Sequence, residues 1–292
     1  MNPSFTLERG FFGPRVTLTG PWSPSIGDYL RQEGVLELYL NHARGWTGGN
    51  LDFLKTLPQL VAFSIVDLTI ADISPIHHLS ELRALEISTY CATAVNFAQF
   101  SQLERCVFFW REGSSSLFDS STLRSLFLHR YSGQQSKPFG KLATLHELSV
   151  ANGELCEIES LGHLEELRLL GLYNLRKLTS LEGIQLLRRL ETLEINGCKQ
   201  IRRIDELSSL VQLKRLHLND DDKIESLAPL SNLIGLEEVL FYESTSVTDG
   251  DLFPVARLPR LQRISFQNRR HYSHKREDLP LVGHSAVGTT HA

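Results

Sequence analysis

The side chains that could do covalent or metal chemistry are few and widely separated. Cys91, Cys106, Cys156 and Cys198 form no Cys-x-x-Cys pair, so the chain carries neither a zinc-knuckle spacing nor a dithiol redox motif. His271 and His274 lie in the densest basic run, Arg269-Arg270-His271-Tyr272-Ser273-His274-Lys275-Arg276. Two imidazoles without further ligands fall short of a metal site. Arg269, Arg270, Lys275 and Arg276 could instead dock a phosphate or an acidic partner, or simply form a charged segment over the last edge strand. The acidic cluster Asn219-Asp220-Asp221-Asp222 lacks the fixed oxygen spacing of a calcium loop and suits a tight turn. Gly140-Lys141 is followed by Leu142, so no phosphate-cradling loop is present. Neither Gly-x-Ser-x-Gly nor His-Glu-x-x-His occurs. No cofactor is implied, and the chain reads as a non-enzyme.

The elements that must position these residues follow one pattern, Leu-x-x-Leu-x-Leu or a close apolar variant. The blocks are Val35-Leu38-Leu40, Leu60-Phe63-Ile65, Leu82-Leu85-Ile87, Leu103-Cys106-Phe108, Leu123-Leu126-Leu128, Leu145-Leu148-Val150 and Leu164-Leu167-Leu169. Leu190-Leu193-Ile195, Leu213-Leu216-Leu218, Leu236-Val239-Phe241 and Leu261-Ile264-Phe266 complete the eleven. The step from one block to the next runs from 19 to 26 residues. The last two apolar positions of each block are two apart, the period of a strand. Between blocks the period becomes three, as in Ile201, Ile204, Leu207, Leu210 and Leu213, or Leu172, Leu175, Leu178, Leu181, Ile184, Leu187 and Leu190. An α-helix advances 100° per residue, so a spacing of three leaves one face within a few steps. A return path of 3₁₀ turns and extended pieces holds it.

In these blocks and in return segments such as Ile70-Ala-Asp-Ile-Ser-Pro-Ile-His-His-Leu79, the chain resembles the leucine-rich-repeat superfamily, within its short-repeat bacterial and phosphatase-regulator-like subclass. The resemblance covers about residues 16–268 and is loosest from 91 to 140. It implies an α/β repeat solenoid: a right-handed horseshoe with a concave parallel β-sheet and a convex side of 3₁₀ turns and loops. It also implies a scaffold that binds a protein on the concave sheet. Cys198 then falls at the turn position where such repeats accept Asn or Cys.

Three segments are expected. Residues 1–34 form an N-terminal cap: Phe5, Leu7, Val16 and Leu18 alternate around a Gly10 and Gly13-Pro14 turn, and a short helix starts at Ser23-Pro24. Residues 35–268 form the solenoid of eleven repeats. Residues 269–292 form the basic segment and a tail, with 279–292 lacking periodicity and read as disordered. The formal net charge of −4 gives no support to nucleic-acid binding. No apolar run reaches transmembrane length, and Met1-Asn-Pro-Ser-Phe-Thr-Leu-Glu-Arg lacks the character of a signal peptide. A monomer in a reducing cytoplasm is the expectation.

In the frame Leu-x-x-Leu-x-Leu-x, the third, fifth and seventh places face outward. Two groups emerge from these columns. Val107 and Phe109 lie beside Phe127 and His129, with Arg105 bordering them and Trp110 and Tyr131 leaving the same strands. Outward aromatics with arginine are the mark of a binding hot spot, unless the 111–118 loop folds over them. A second group, Arg168, Leu170, Arg215, His217, Leu240 and Tyr242, mixes charges that cross-strand pairing would satisfy. The sequence therefore points to an unidentified protein partner that the scaffold regulates or neutralises. The alternatives are an enzyme activity housed in 91–140, or anion or nucleic-acid binding by 269–276.

Overall fold

A computed structural model describes residues 4–279 of the 292-residue chain. They divide into two compact units. One is the chain up to Gly133 together with Pro138–Gly153; the other is Gln134–Lys137 together with the chain from Glu154 onward. The tail expected at 279–292 lies, from residue 280, outside the described residues.

The first unit opens with a hairpin. Strands β1, Phe5–Arg9, and β2, Pro14–Leu18, pair antiparallel with Phe5 opposite Leu18 and Leu7 opposite Val16. Helix α1, Pro24–Gln32, follows, with Pro24 at its start and Ile26 and Leu30 buried. The Ser23 hydroxyl meets Ser25 and makes no capping bond to a backbone N–H. Gly34, at φ +59, ends the helix in a backbone conformation that glycine adopts without steric cost. Then come β3 (Glu37–Asn41), β4 (Ala62–Val66), β5 (Ala84–Ser88), β6 (Arg105–Phe109), β7 (Ser125–His129) and β8 (Glu147–Ala151). All pair parallel in chain order, and the block centres Leu38, Phe63, Leu85, Cys106, Leu126 and Leu148 face one another in turn. Cys106 is buried where a leucine would stand.

In the second unit β9 (Leu169–Tyr173), β10 (Thr192–Asn196), β11 (Arg215–Asn219), β13 (Glu238–Phe241) and β15 (Arg263–Phe266) repeat the arrangement. A short parallel pair, β12 (Lys223–Ile224) and β14 (Ser246–Val247), forms beside them. Helix α2, Phe253–Ala256, is a single turn. The result is an open repeat solenoid of in-register parallel strands with 3₁₀ return paths.

The three-residue period has a direct physical cause. Leu164 N donates to Leu161 O at 2.9 Å and Leu167 N to Leu164 O at 3.0 Å, as Leu210 and Leu213 do to Leu207 and Leu210 at 2.9 Å each. From Ile158 to Leu167 and from Ile204 to Leu213, each apolar residue thus bonds the apolar residue three before it. Side chains three apart eclipse in a 3₁₀ turn, so the ladder points all of them into the core. One Leu or Ile fully buried contributes about 1.5–3 kcal/mol, while ordering each residue costs about 1–2 kcal/mol. A lone repeat cannot meet that, and stacked neighbours are needed.

The same ladder corrects one block. Leu164 and Leu167 belong to it, so the strand block is Leu167-Leu170-Leu172 and not Leu164-Leu167-Leu169. Leu170 lies opposite Leu193, and Arg168 O accepts from Glu191 N and Thr192 N just before β10. A run of leucines three apart fits the block template in two phases, and hydrogen bonding selects one. With that shift the block centres follow at steps of 20 to 25 residues.

Candidate protein-binding surface

Four residues of the first aromatic group lie side by side on two strands. Val107 lies opposite Phe127 and Phe109 opposite His129, on β6 and β7. All four are half-buried. The Phe109 and His129 rings are 4.8 Å apart, and those of Phe127 and His129 are 4.3 Å apart. Burial pulls the His129 imidazole below its ordinary value, so at neutral pH it behaves as a neutral ring within the patch. Arg105 is exposed at the start of β6.

Tyr131 is a correction: it is 5% exposed and faces inward. Its ring packs edge-on against Trp110, Phe118 and Phe139, at 5.0, 5.7 and 5.1 Å. The seven-residue frame ends at His129, and beyond it the chain turns inward at Arg130, whose φ is +59. Trp110 is half-buried at the border of the patch and donates through Nε1 to Ser132 Oγ at 3.1 Å.

The segment 111–118 does not fold over the patch. Ser115–Asp119 forms a 3₁₀ turn of the return path, with Leu117 and Phe118 buried. A different element reaches the sheet: the tip of the β1–β2 hairpin. Phe12 N donates to Glu37 Oε1 at 2.5 Å, which brings the tip down over β3 and leaves Glu37 1% exposed. The Arg83 guanidinium stands 4.8 Å over the Phe12 ring, and that of Arg105 stands 5.5 Å over Phe11. The small side chains of Ala62 and Ala84 lie between Glu37 and Arg105 in the same row. Phe11 remains 76% exposed. The signal was in the sequence: two phenylalanines between Gly10 and Gly13, at a turn where polar residues are the rule.

Two further residues escaped the frame. Tyr90, 58% exposed, has its ring 5.9 Å from that of Phe109, and the Arg130 guanidinium stands 5.1 Å over the Tyr90 ring. Arg111 is 7% exposed. It donates to Phe109 O, Thr89 O, Thr89 Oγ1 and Cys91 Sγ at 3.1–3.4 Å. Burial draws this guanidinium below its ordinary value, with Cys91 acting in the opposite sense. Arg111, Arg130, Tyr90, Phe109 and Trp110 line a cavity of about 490 Å³.

The second group behaves differently. Leu170 is fully buried and Leu240 is 6% exposed, so neither presents its side chain for contact as the outward place assigned to it implies. Arg168 stands just before β9, beside Glu191 at 3.4 Å, and Glu191 pairs with Lys214 at 2.7 Å. On β11, Arg215 Nε donates to Thr192 Oγ1 at 3.1 Å. His217 lies between Glu194, at 3.7 Å, and Glu238, at 2.6 Å, while Arg263 meets the other oxygen of Glu238 at 2.8 Å. Tyr173 donates to Glu194. Burial pushes the Glu238 carboxyl up, but His217 and Arg263 outweigh it and hold it below the usual range. This is a closed lattice of cross-strand pairs, with Tyr242 exposed beside it.

The basic segment is folded onto the turn before it. Arg269 donates to Thr245 O at 3.2 Å, and His271 Nε2 lies 2.9 Å from Val247 O. Val247 N and Leu252 N donate to Tyr272 Oη and Ser273 Oγ, each at 2.9 Å. Arg270, Lys275 and Arg276 remain exposed. No group of three or more metal-ligating side chains is assembled among the described residues.

Comparison with solved structures agrees with this geometry. An internalin (inlF) from Listeria monocytogenes superposes with a TM-score of 0.61 at 19% identity, over 80% of this chain and 72% of that one. The fold is a leucine-rich repeat. Listeria monocytogenes internalin C2 (TM-score 0.48, 21% identity, 72% and 81% covered) and a leucine-rich-repeat protein from Leptospira interrogans (TM-score 0.46, 17% identity, 84% and 69% covered) are also similar. No protein-family model and no curated protein matches the sequence. Within the leucine-rich-repeat frame the turn after β11 explains the acidic cluster. Asp221 is fully buried and accepts from Cys198 N at 2.7 Å, while its own N–H donates to Thr245 Oγ1 at 3.0 Å. Burial pushes its carboxyl up to about 7 and the Cys198 thiol up to about 12. Among the described residues no helix is long and apolar enough to cross a membrane.

Proposed function

We propose that this chain is a non-enzymatic scaffold that engages a partner protein on the outward face of its sheet, through Val107, Phe109, Phe127 and His129. The observation that carries this reading is the pair of neighbouring strands whose outward places hold aromatic rings, while the equivalent places of the second unit hold a self-satisfied charge lattice. A solenoid needs its inward leucines; outward phenylalanines add nothing to that core and expose apolar area instead. Tyr90 and Phe11 extend the aromatic area, and Tyr242 is a minor contact. The scaffold acts by regulating or neutralising its partner, as a monomer. Its four free thiols fit a reducing cytoplasm, and neither membrane nor nucleic acid is its target.

The test is the double variant Phe109→Asp, Phe127→Asp. Charges at these half-exposed places leave the inward residues untouched, so thermal unfolding should stay close to that of the parent. Affinity purification from cells should then lose the partners that the parent chain recovers. Recovery of the same partners by the double variant would remove the patch assignment.

A further inference from the structure

We propose that the patch receives an acidic, extended segment of the partner, which lays apolar side chains on Phe109 and His129 and directs carboxylates to Arg105, Arg111 and Arg130. This rests on the patch being the binding surface and adds the chemistry of what it binds.

The argument begins with charge. The chain carries a net −4, and a minority of its arginines meet a carboxylate, such as Arg83 with Glu104, Arg263 with Glu238 and Arg203 with Asp205. Arg105, Arg111 and Arg130 have no carboxylate partner among the described residues. Three guanidiniums without a carboxylate partner thus surround this outward aromatic cluster of an acidic chain. Arg105 and Arg130 rest over the rings of Phe11 and Tyr90, an arrangement that holds the cation while leaving its N–H edge free to bond. Arg111 is buried, and all of its bonds go to neutral groups. A buried cation without a counter-charge is costly, and a carboxylate in the adjoining cavity of about 490 Å³ would compensate it. Glu112, which also lines that cavity, forms no ion pair with them.

The second observation is conformational. The residue after each strand from β7 to β11 takes positive φ: Arg130, Asn152, Asn174, Gly197 and Asp220. Asn, Asp and Gly adopt this conformation readily, whereas other residues adopt it at a steric cost. Arginine at 130 thus carries a local cost that the fold does not require, and its side chain goes to the cavity. Arg105 opens β6 and Arg111 follows its end, so the cations bracket the patch along the strand direction. At about 3.3 Å per residue they span roughly 20 Å, the reach of a short extended peptide.

The experiment is selection of a displayed library of random short peptides on the immobilised full chain, followed by affinity measurement of the enriched peptides. Enriched sequences should carry Asp or Glu flanking apolar residues, and their binding should weaken with salt. Arg130→Asn should weaken them roughly tenfold while leaving the chain at least as resistant to unfolding, because Asn suits the left-handed position. Arg105→Ala should weaken them in the same sense, and Arg188→Ala, at an exposed position of the second unit, should not. Neutral or basic enrichment, unchanged affinity in Arg130→Asn and Arg105→Ala, or no enrichment on the parent chain overturns the proposal. If the arginine variants keep full affinity but Phe109→Asp, Phe127→Asp loses it, the patch stands and only its acidic ligand falls. If the phenylalanine double variant also binds fully, the patch reading itself fails.

Discussion

Asp221 shows how one buried carboxylate can set the pH response of a repeat. Its Oδ1 takes the Cys198 N–H, and its Oδ2 is buried with no bond. With the folded value raised to about 7 from an unfolded value near 3.8, the folded state binds the proton more tightly. Stability from this group is therefore greatest at low pH, declines as pH rises from about 4 to 7, and is flat beyond. Asp221→Asn keeps an acceptor for Cys198 and removes the charge. Chemical denaturation should show the variant more stable than the parent at pH 8, with the advantage shrinking towards pH 4; an advantage independent of pH would count against the buried charge as the cause. His129 runs the other way. Its lowered folded value means that stability is lost as pH falls below about 6.5, and His129→Phe should remove that component of acid unfolding. At this scale the sequence showed residue type well and environment badly. Phe109, Phe127 and His129 were legible because period two assigns a face. Tyr131 was not, because the frame ends where Arg130 turns the chain.

Elements were the most legible level. The hairpin, the proline-started helix and the parallel strands all follow from periodicity and turn chemistry, and even Cys106 falls at its place in the ladder. What the sequence withheld was phase. Leucines spaced by three satisfy both a return segment and a strand block, so the repeat template alone puts β9 three residues early and Leu170 on the wrong face. The hairpin tip is a second case, since nothing local says that Phe12 reaches Glu37 from the turn before β2. A Cβ at Gly10 would overlap the Glu37 carboxylate, so Gly10→Val should lift the tip. Hydrogen exchange should then rise at Phe12 while the core strands keep their protection; unaltered exchange at Phe12 would mean the tip is held by other contacts. The C-terminal segment is held as firmly. A Cβ at Gly250 would overlap the His271 carbonyl oxygen, and Gly250 has φ +70. Gly250→Ala should cost about 1–3 kcal/mol, read as a lowered unfolding midpoint, with increased exchange at Val247 and Leu252.

For the whole molecule, the repeat pattern makes stability a sum of neighbouring interfaces. That is why the fold could be read from sequence, whereas the partner could not: the outward places are the ones the core leaves unconstrained. The three-residue ladder of the return paths carries a consequence for how such a chain tolerates changes of length. Because the rungs from Ile158 to Leu167 each bond the rung three before, the ladder there has no fixed origin. Three residues inserted between Leu161 and Leu164 add one turn and deliver β9 with its faces unchanged. One or two inserted there rotate the apolar edge out of the core and present the wrong side chains to the strands beside it. The ambiguity that misplaced β9 in the sequence is thus a freedom of the folded chain, and indels within these ladders are survivable in multiples of three.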